Sequence, residues 1–320
     1  MSLKVEKVRL IDVDAESSGQ RIDNYLMRHL KGVPKSRIYR LIRKGEVRVD
    51  GGRIKPSHRV TAGEKVRIPP LRTAQQNQIT IPEERISQVE NWIIDEDDDL
   101  MILNKPSGIA VHGGSGLTGG VIEALRLARP RTEYLELVHR LDRQTSGCLM
   151  VAKNRKILNT LHDQLRSHRS ERQQGGILKY YLALVRESWS GGKKRAKVAL
   201  DTRASRSGER LTVVDQNGRS AESHFSPIRC FSTSTLVEIE LLTGRTHQAR
   251  VHADYLGIPI AGDSKYGDRE FNHWLRDQGL KRLFLHASKL VITSPKTGKQ
   301  RLVEAPLPDE LKKVLERLEK

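Results

Sequence analysis

Leu135-Glu-Leu-Val-His-Arg-Leu-Asp-Arg-Gln-Thr-Ser-Gly-Cys-Leu-Met-Val151 has apolar, β-favouring residues at both ends: Leu135, Leu137 and Val138, then Leu149, Met150 and Val151. Between them lies a polar segment with one carboxylate, Asp142, set between Arg140 and Arg143. The pattern predicts strand, loop, strand, with Ser146-Gly147 as the turn signal. Flanking guanidinium groups favour the ionised carboxylate. Such a group serves as a nucleophile or as half of a structural ion pair, and structural pairs are the commoner case. The surrounding chain shifts that balance.

The chain has 320 residues, 37% of them hydrophobic and 30% charged, enough for two or three domains with a substantial core. Its net charge of +18 points to a polyanionic partner. Nucleic acid is favoured over an acidic membrane surface as that partner, because no apolar run approaches a spanning length, and no membrane partner is expected. Met1-Ser-Leu-Lys-Val-Glu-Lys-Val-Arg9 carries charges every few residues and no apolar signal core, so a cytoplasmic protein is expected. The two cysteines, Cys148 and Cys230, sit in apolar, strand-like contexts and are expected as buried thiols. Two cysteines cannot build a four-thiolate zinc site. His247 and His252 are five residues apart, on different helix faces, with no carboxylate completing a set, so His247, His252 and His286 are not expected to bind metal.

Toward the N-terminus, Ile22, Leu26 and Leu30 predict a helix that Gly32-Val-Pro34 breaks. Ser36 is the expected N-cap of a second helix over 37–44, stopped by Gly45. There Ile38, Leu41 and Ile42 form one stripe, while Arg37, Arg40 and Lys44 fall on the other face with Arg43 at its margin. Short strand pairs are expected around Asp50-Gly51-Gly52 and around Ala62-Gly63. Residues 19–70 hold 14 Lys and Arg against 4 Asp and Glu. A solvated helix face normally interleaves acidic partners, so this one-sided charge favours phosphate contact.

Arg21-Ile-Asp-Asn-Tyr-Leu26, Ser36-Arg37 and Ile42-Arg-Lys-Gly-Glu-Val-Arg-Val-Asp-Gly51 together resemble an S4 RNA-binding domain. That resemblance implies two helices with a small β unit, the second helix facing structured RNA through Arg37, Arg40, Arg43 and Lys44. Polar residues 71–85 read as a linker. The expected organisation is an N-terminal extension at 1–16, an S4-like domain at 17–75, a linker at 76–88 and a catalytic domain at 89–320.

Beyond the linker, Trp92 to Leu103 predicts a hairpin around an acidic turn at 95–99, most simply a solvated one. His112-Gly-Gly-Ser115 is faintly similar to an esterase oxyanion loop, but no Gly-x-Ser-x-Gly elbow occurs and a hydrolase triad is rejected. Residues 120–129 and 154–168 have helical spacing. Ser167 to Gly176 is a basic insert containing Arg169 and Arg172, and Ile177-Leu-Lys-Tyr-Tyr-Leu-Ala-Leu-Val185 reads as a strand in which Tyr181 suits a half-buried core aromatic. Leu241-Leu-Thr-Gly-Arg-Thr-His-Gln-Ala-Arg-Val-His252 and Gly257 to Gly267 then crowd polar residues after an apolar strand, as functional loops do.

His139-Arg-Leu-Asp-Arg-Gln-Thr-Ser-Gly147, Lys179-Tyr-Tyr-Leu-Ala183, Thr243-Gly-Arg-Thr-His-Gln248 and Leu285-His-Ala287 occur in the order found in the RluA-type pseudouridine synthases, which residues 90–306 closely resemble. The resemblance implies an α+β catalytic fold, a mixed, largely antiparallel sheet flanked by helices with the cleft across its middle; many short strands joined by tight turns also favour antiparallel pairing. It implies Asp142 as the essential aspartate, Tyr181 as the active-site tyrosine, Arg245 as the arginine pairing with Asp142, and Arg140 as the residue entering the space a flipped base leaves. With the S4-like domain in front, it implies 23S ribosomal RNA, free or in an assembling large subunit, as partner of a monomeric enzyme.

The implied reaction breaks the uridine N1–C1′ bond, turns the uracil and joins C5 to C1′, so its chemistry requires neither a redox cofactor nor a metal. It requires an ionised carboxylate near C1′, as nucleophile or as stabiliser of an oxocarbenium-like state. The rival readings are a non-catalytic S4-containing assembly factor, which intact Asp142, Tyr181 and Arg245 disfavour, and a glycosylase, which would liberate free uracil.

Overall fold

Two units make up the chain, Met1–Ile79 and Thr80–Lys320. The computed structural model describes residues 4–5, 8–30, 33–73, 81–113, 119–167, 176–187, 189, 191–204 and 210–319. Most of the basic insert, including Arg169 and Arg172, lies outside the described residues, as does the Gly114-Ser115 end of the glycine-rich run.

In the first unit β1 (Lys4–Val5) pairs with β6 (Arg72–Thr73). A second sheet has the order β2 (Arg9–Asp12), β5 (Lys65–Ile68), β3 (Arg48–Val49), β4 (Gly52–Arg53), all antiparallel. Its core is closed by α1 (Ile22–His29), burying Ile22, Tyr25 and Leu26, and α2 (Lys35–Arg43), burying Ile38, Leu41 and Ile42. Asp23 locks the two helices together: it is 3% exposed, receives a fork from Arg21 and accepts the Tyr39 hydroxyl at 2.5 Å. Burial opposes its charge, but the Arg21 and Tyr39 hydrogen bonds win and hold the carboxyl below its ordinary value.

Several expectations change here. Residues 9–12, expected within an N-terminal extension, form β2, whose partner β5 lies more than fifty residues away and is invisible to local pattern. The expected pairing around Ala62-Gly63 is absent among the described residues: β5 pairs with β2 and β3, while Val60 N–H bonds to Gln20 O. Helix α2 begins after Pro34, so Ser36 sits inside its first turn.

The second unit opens with α3 (Glu83–Gln88), where the sequence suggested linker; Arg85 Nη1 donates to Gly119 O at 2.5 Å. The elements that follow are β7 (Ile93–Glu96), β8 (Leu100–Lys105), α4 (Val121–Ala128), β9 (Glu136–Leu137), β10 (Ser146–Ala152), α5 (Arg155–Arg166) and β11 (Ile177–Arg186). Next come β12 (Lys194–Ala204), β13 (Arg210–Val214), β14 (Arg219–Cys230), β15 (Ser234–Leu241), α6 (Gln248–Tyr255), α7 (Arg269–Asp277), β16 (Leu285–Thr293), β17 (Gln300–Glu304) and α8 (Asp309–Leu318). Eleven of these strands form one sheet, in the order β13-β12-β14-β15-β11-β16-β10-β8-β7, with β9 beside β10 and β17 beside β16. Its assigned strand pairs are antiparallel except β10 with β16, so the sheet is mixed and largely antiparallel, with helices against it, in an α+β fold.

β10 is buried along its whole length. Gly147 makes its parallel partner possible: with φ +107°, a Cβ there would lie 2.2 Å from Ala287 O. The acidic turn is not simply solvated. Arg129 and Lys153 pair with Glu96, Arg301 with Asp95 and Asp97, and Lys296 with Asp99. Those cations come from distant parts of the chain. Cys148 is buried as expected, but Cys230, at the solvent end of β14, is exposed.

Candidate active site

Asp142 sits in the loop between β9 and β10, where Thr145 N–H turns back to Asp142 O. The segment after β8 supports this loop. Gly108 N–H bonds to Arg143 O at 2.8 Å, Arg143 Nε to Gly108 O at 2.9 Å, and Ser107 Oγ to Gln144 O at 2.7 Å. Beneath lies Lys105, fully buried, whose Nζ donates to Pro106 O, Ile109 O and Arg143 O at 2.8, 2.9 and 3.4 Å. Burial and the nearby Arg282 charge push its ammonium down to about 7, with Asp142 opposing.

A cleft of about 500 Å³ opens above the loop, and Arg140, Asp142, Tyr181 and Arg245 all line it. The structure therefore brings all four expected residues to one site. It does not make the expected ion pair. Arg245 Nε donates to Ser220 O at 3.2 Å, and its N–H is held by Gln248 Oε1 at 3.0 Å. Arg250 faces the aspartate instead, its Nη1 3.6 Å from Asp142 Oδ2. The reason is helix phase: α6 starts at Gln248, so Arg250 falls in its first turn while Arg245 remains in the preceding loop.

Arg250 is itself fixed from behind. Its Nε and Nη2 make a bidentate pair with Asp263 at 2.7 and 2.8 Å, in surroundings that leave Asp263 1% exposed. Asp263 Oδ1 also accepts Lys265 and Tyr266 N–H, and the Tyr266 ring lies 5.0 Å from the guanidinium carbon. Burial works against both charges. Their mutual hydrogen bonds outweigh it, raising the arginine and lowering the aspartate. Asp263 and Lys105 escaped sequence reasoning; Asp263 carried one signal, its place in the dense 257–267 stretch.

Tyr181 is 7% exposed on β11, and burial, reinforced by the Asp142 charge, pushes its phenol well above the usual range. Arg140 is exposed and lines both the cleft and an adjoining groove shared with Arg143 and Lys265. In the first unit Arg37, Arg40, Arg43 and Lys44 line one shallow concavity with Ser36. Arg40, Arg43 and Lys44 are exposed, and no carboxylate among the described residues pairs with them.

Three histidines, His252 and His286 buried and His139 half-buried, support the site uncharged. Met150 N–H donates to His139 Nε2; His252 Nδ1 meets Ser223 Oγ; His286 lies between Ser146 Oγ and Ala305 O. Burial pushes them down to about 3, 4 and 4 respectively. The unfolded chain therefore takes up protons near pH 6.5 that the folded chain refuses, so stability falls as pH drops from 6.5 toward 4, by several kcal/mol in total. Urea midpoints measured across that window should decline steeply, and less steeply in His286→Gln. Equal slopes for wild type and variant would refute a histidine contribution.

Comparison with known proteins agrees with this architecture. Residues 99–255 match the RNA pseudouridylate synthase family and residues 20–66 match the S4 domain. The chain is 48% identical to ribosomal large subunit pseudouridine synthase C of Escherichia coli K12, with 99% of each chain covered. It is 49% identical to the protein of that name from Haemophilus influenzae, covering 97% of this chain and 95% of the relative. Among solved structures, human RNA pseudouridylate synthase domain containing 4 superposes with a TM-score of 0.60 at 24% identity, over 74% of this chain and 97% of the other.

Proposed function

The chain belongs to the RNA pseudouridylate synthase family and carries an S4 domain, and from that premise we propose that it isomerises uridines of large-subunit (23S) ribosomal RNA to pseudouridine, with Asp142 as the catalytic carboxylate. The observation that carries the reading is a single half-exposed aspartate in a deep cleft, faced by an arginine that a second, buried aspartate holds in place. The near-full-length likeness to enzymes named for the large ribosomal subunit supports the substrate class.

The flipped uridine enters the cleft at a cost of a few kcal/mol for unstacking. Arg140, exposed at the mouth, fills the vacated stack with its planar guanidinium, which a lysine could not do. A carboxylate oxygen of Asp142 approaches C1′ as the N1–C1′ bond breaks, either bonding to it or stabilising its positive charge. The uracil turns, C5 bonds to C1′, the C5 proton leaves to solvent and N1 takes up a proton from solvent, so atoms balance and nothing is oxidised. Arg250, rather than Arg245, orients Asp142. Tyr181, kept protonated by burial, is a poor base and serves the uracil by stacking. Arg37, Arg40, Arg43 and Lys44 supply phosphate contacts that hold structured RNA.

Large- and small-subunit rRNA carrying tritium at uridine C5 provide the test. Wild-type protein is expected to release tritium from large-subunit RNA alone, without free uracil. Binding without release would turn the reading toward an assembly factor, and free uracil toward a glycosylase.

A further inference from the structure

His247 has no role in the mechanism above, yet its geometry is unusual. It is one of three non-glycine residues with positive φ among the described residues, at φ 53° and ψ 18°, immediately before α6. Backbone of this kind persists only where surrounding contacts enforce it. Here they do: Val251 N–H bonds to His247 O, and the ring is gripped at Nδ1 by the Tyr266 hydroxyl at 2.9 Å. Tyr266 in turn accepts the N–H of Thr212, on edge strand β13, at 2.9 Å. The other ring nitrogen, Nε2, lies 3.8 Å from Asp142 Oδ2.

We propose that His247 is a positioning residue for the catalytic carboxylate, its Nε2–H directed at Asp142 Oδ2 and its tautomer set by Tyr266; this rests on the assignment of Asp142 above. The proton belongs on Nε2 because that nitrogen faces an anion. Nδ1 must then accept, and the Tyr266 hydroxyl, already accepting from Thr212, has its hydrogen free to donate. Burial lowers the basicity of His247 against the pull of Asp142, which keeps the ring uncharged with a single N–H to place.

Arg250 Nη1 and His247 Nε2 converge on the same oxygen, Oδ2. Among the described residues no donor is assigned to Oδ1. The pair thus braces one oxygen and leaves the other for C1′. The 3.8 Å separation is long for a hydrogen bond, as donor contacts in unliganded sites commonly are before substrate tightens them.

Paired substitutions at His247 read this arrangement. Asp142 is faced by Lys105 from β8, Tyr181 from β11 and Arg250 from α6; His247 is faced by Asp142, by Arg250, and by Asp263, Lys265 and Tyr266 from the loop before α7. The cations among these remain when His247 is replaced, so the change isolates one donor. His247→Leu and His247→Gln bear the same left-handed backbone cost, but only glutamine offers an N–H near the Nε2 position.

Full-length His247→Leu should lose about 10- to 100-fold in kcat, the worth of one hydrogen bond to a charged group, with KM unchanged. His247→Gln should recover most of the rate. Tyr266→Phe, which frees the tautomer while keeping the imidazole, should fall between. Equal impairment of the Leu and Gln variants, or a loss that falls on KM instead of kcat, would overturn the proposal while an inactive Asp142→Asn control left the underlying assignment standing. Turnover by that control would instead sink the assignment, and this proposal with it.

Discussion

Asp142→Asn protein should bind large-subunit RNA with wild-type salt dependence and release no tritium from it. The substitution is isosteric, and the backbone carbonyls of the loop around position 142 are held by Lys105 Nζ, Ser107 Oγ and Gly108 N–H, none of which uses the carboxylate. Folding and affinity should therefore survive. The amide cannot attack C1′, nor can it stabilise developing positive charge as an anion does. The expected loss in kcat is on the order of 10⁴-fold or more, about 5.5 kcal/mol of transition-state stabilisation. Single-turnover tritium release beside a filter-binding titration separates chemistry from binding. Residual turnover within tenfold of wild type would remove Asp142 from the mechanism.

Replacing Arg250 by Met should damage both the fold and the reaction. Asp263 would be left 1% exposed with its charge uncompensated, its remaining partners being the Lys265 and Tyr266 N–H groups. Breaking a buried ion pair from one side costs about 3–5 kcal/mol, much of it the penalty of the abandoned charge. Urea midpoints should register that loss. Adding Asp263→Asn removes the stranded charge while keeping an oxygen for the two N–H groups, so the double variant should recover much of the stability. It should not recover activity, because Asp142 still lacks its guanidinium. Arg245→Met should be milder in both respects: that side chain donates to Ser220 O and does not pair with the aspartate. Equal stability of Arg250→Met and Arg245→Met would contradict this account of the pair.

The contrast between these two arginines marks where sequence stops being informative. They stand five residues apart in one dense motif, equally polar and equally suited to a carboxylate. Which one turns inward depends on where α6 begins, and that depends on a left-handed residue, His247, held by a tyrosine and a strand from elsewhere in the chain. Side-chain direction on a helix is a matter of phase, and phase is set by tertiary contacts at its first residue.

By itself the sequence determined what local pattern controls. Apolar runs around a polar loop placed Asp142 between two strands, helical spacing located α1, α2 and α5, and the charge pattern gathered Arg37, Arg40, Arg43 and Lys44 on one surface. Each depends on neighbours within a few residues. Only the tertiary structure decided what arises from residues far apart. It made residues 9–12 a strand because β5 offered its edge, neutralised the acidic turn with cations from distant elements, and exposed Cys230. It also chose Arg250 over Arg245, with Asp263 behind it. Burial and pairing are properties of position in space, and they alone determine which of several similar charges can act.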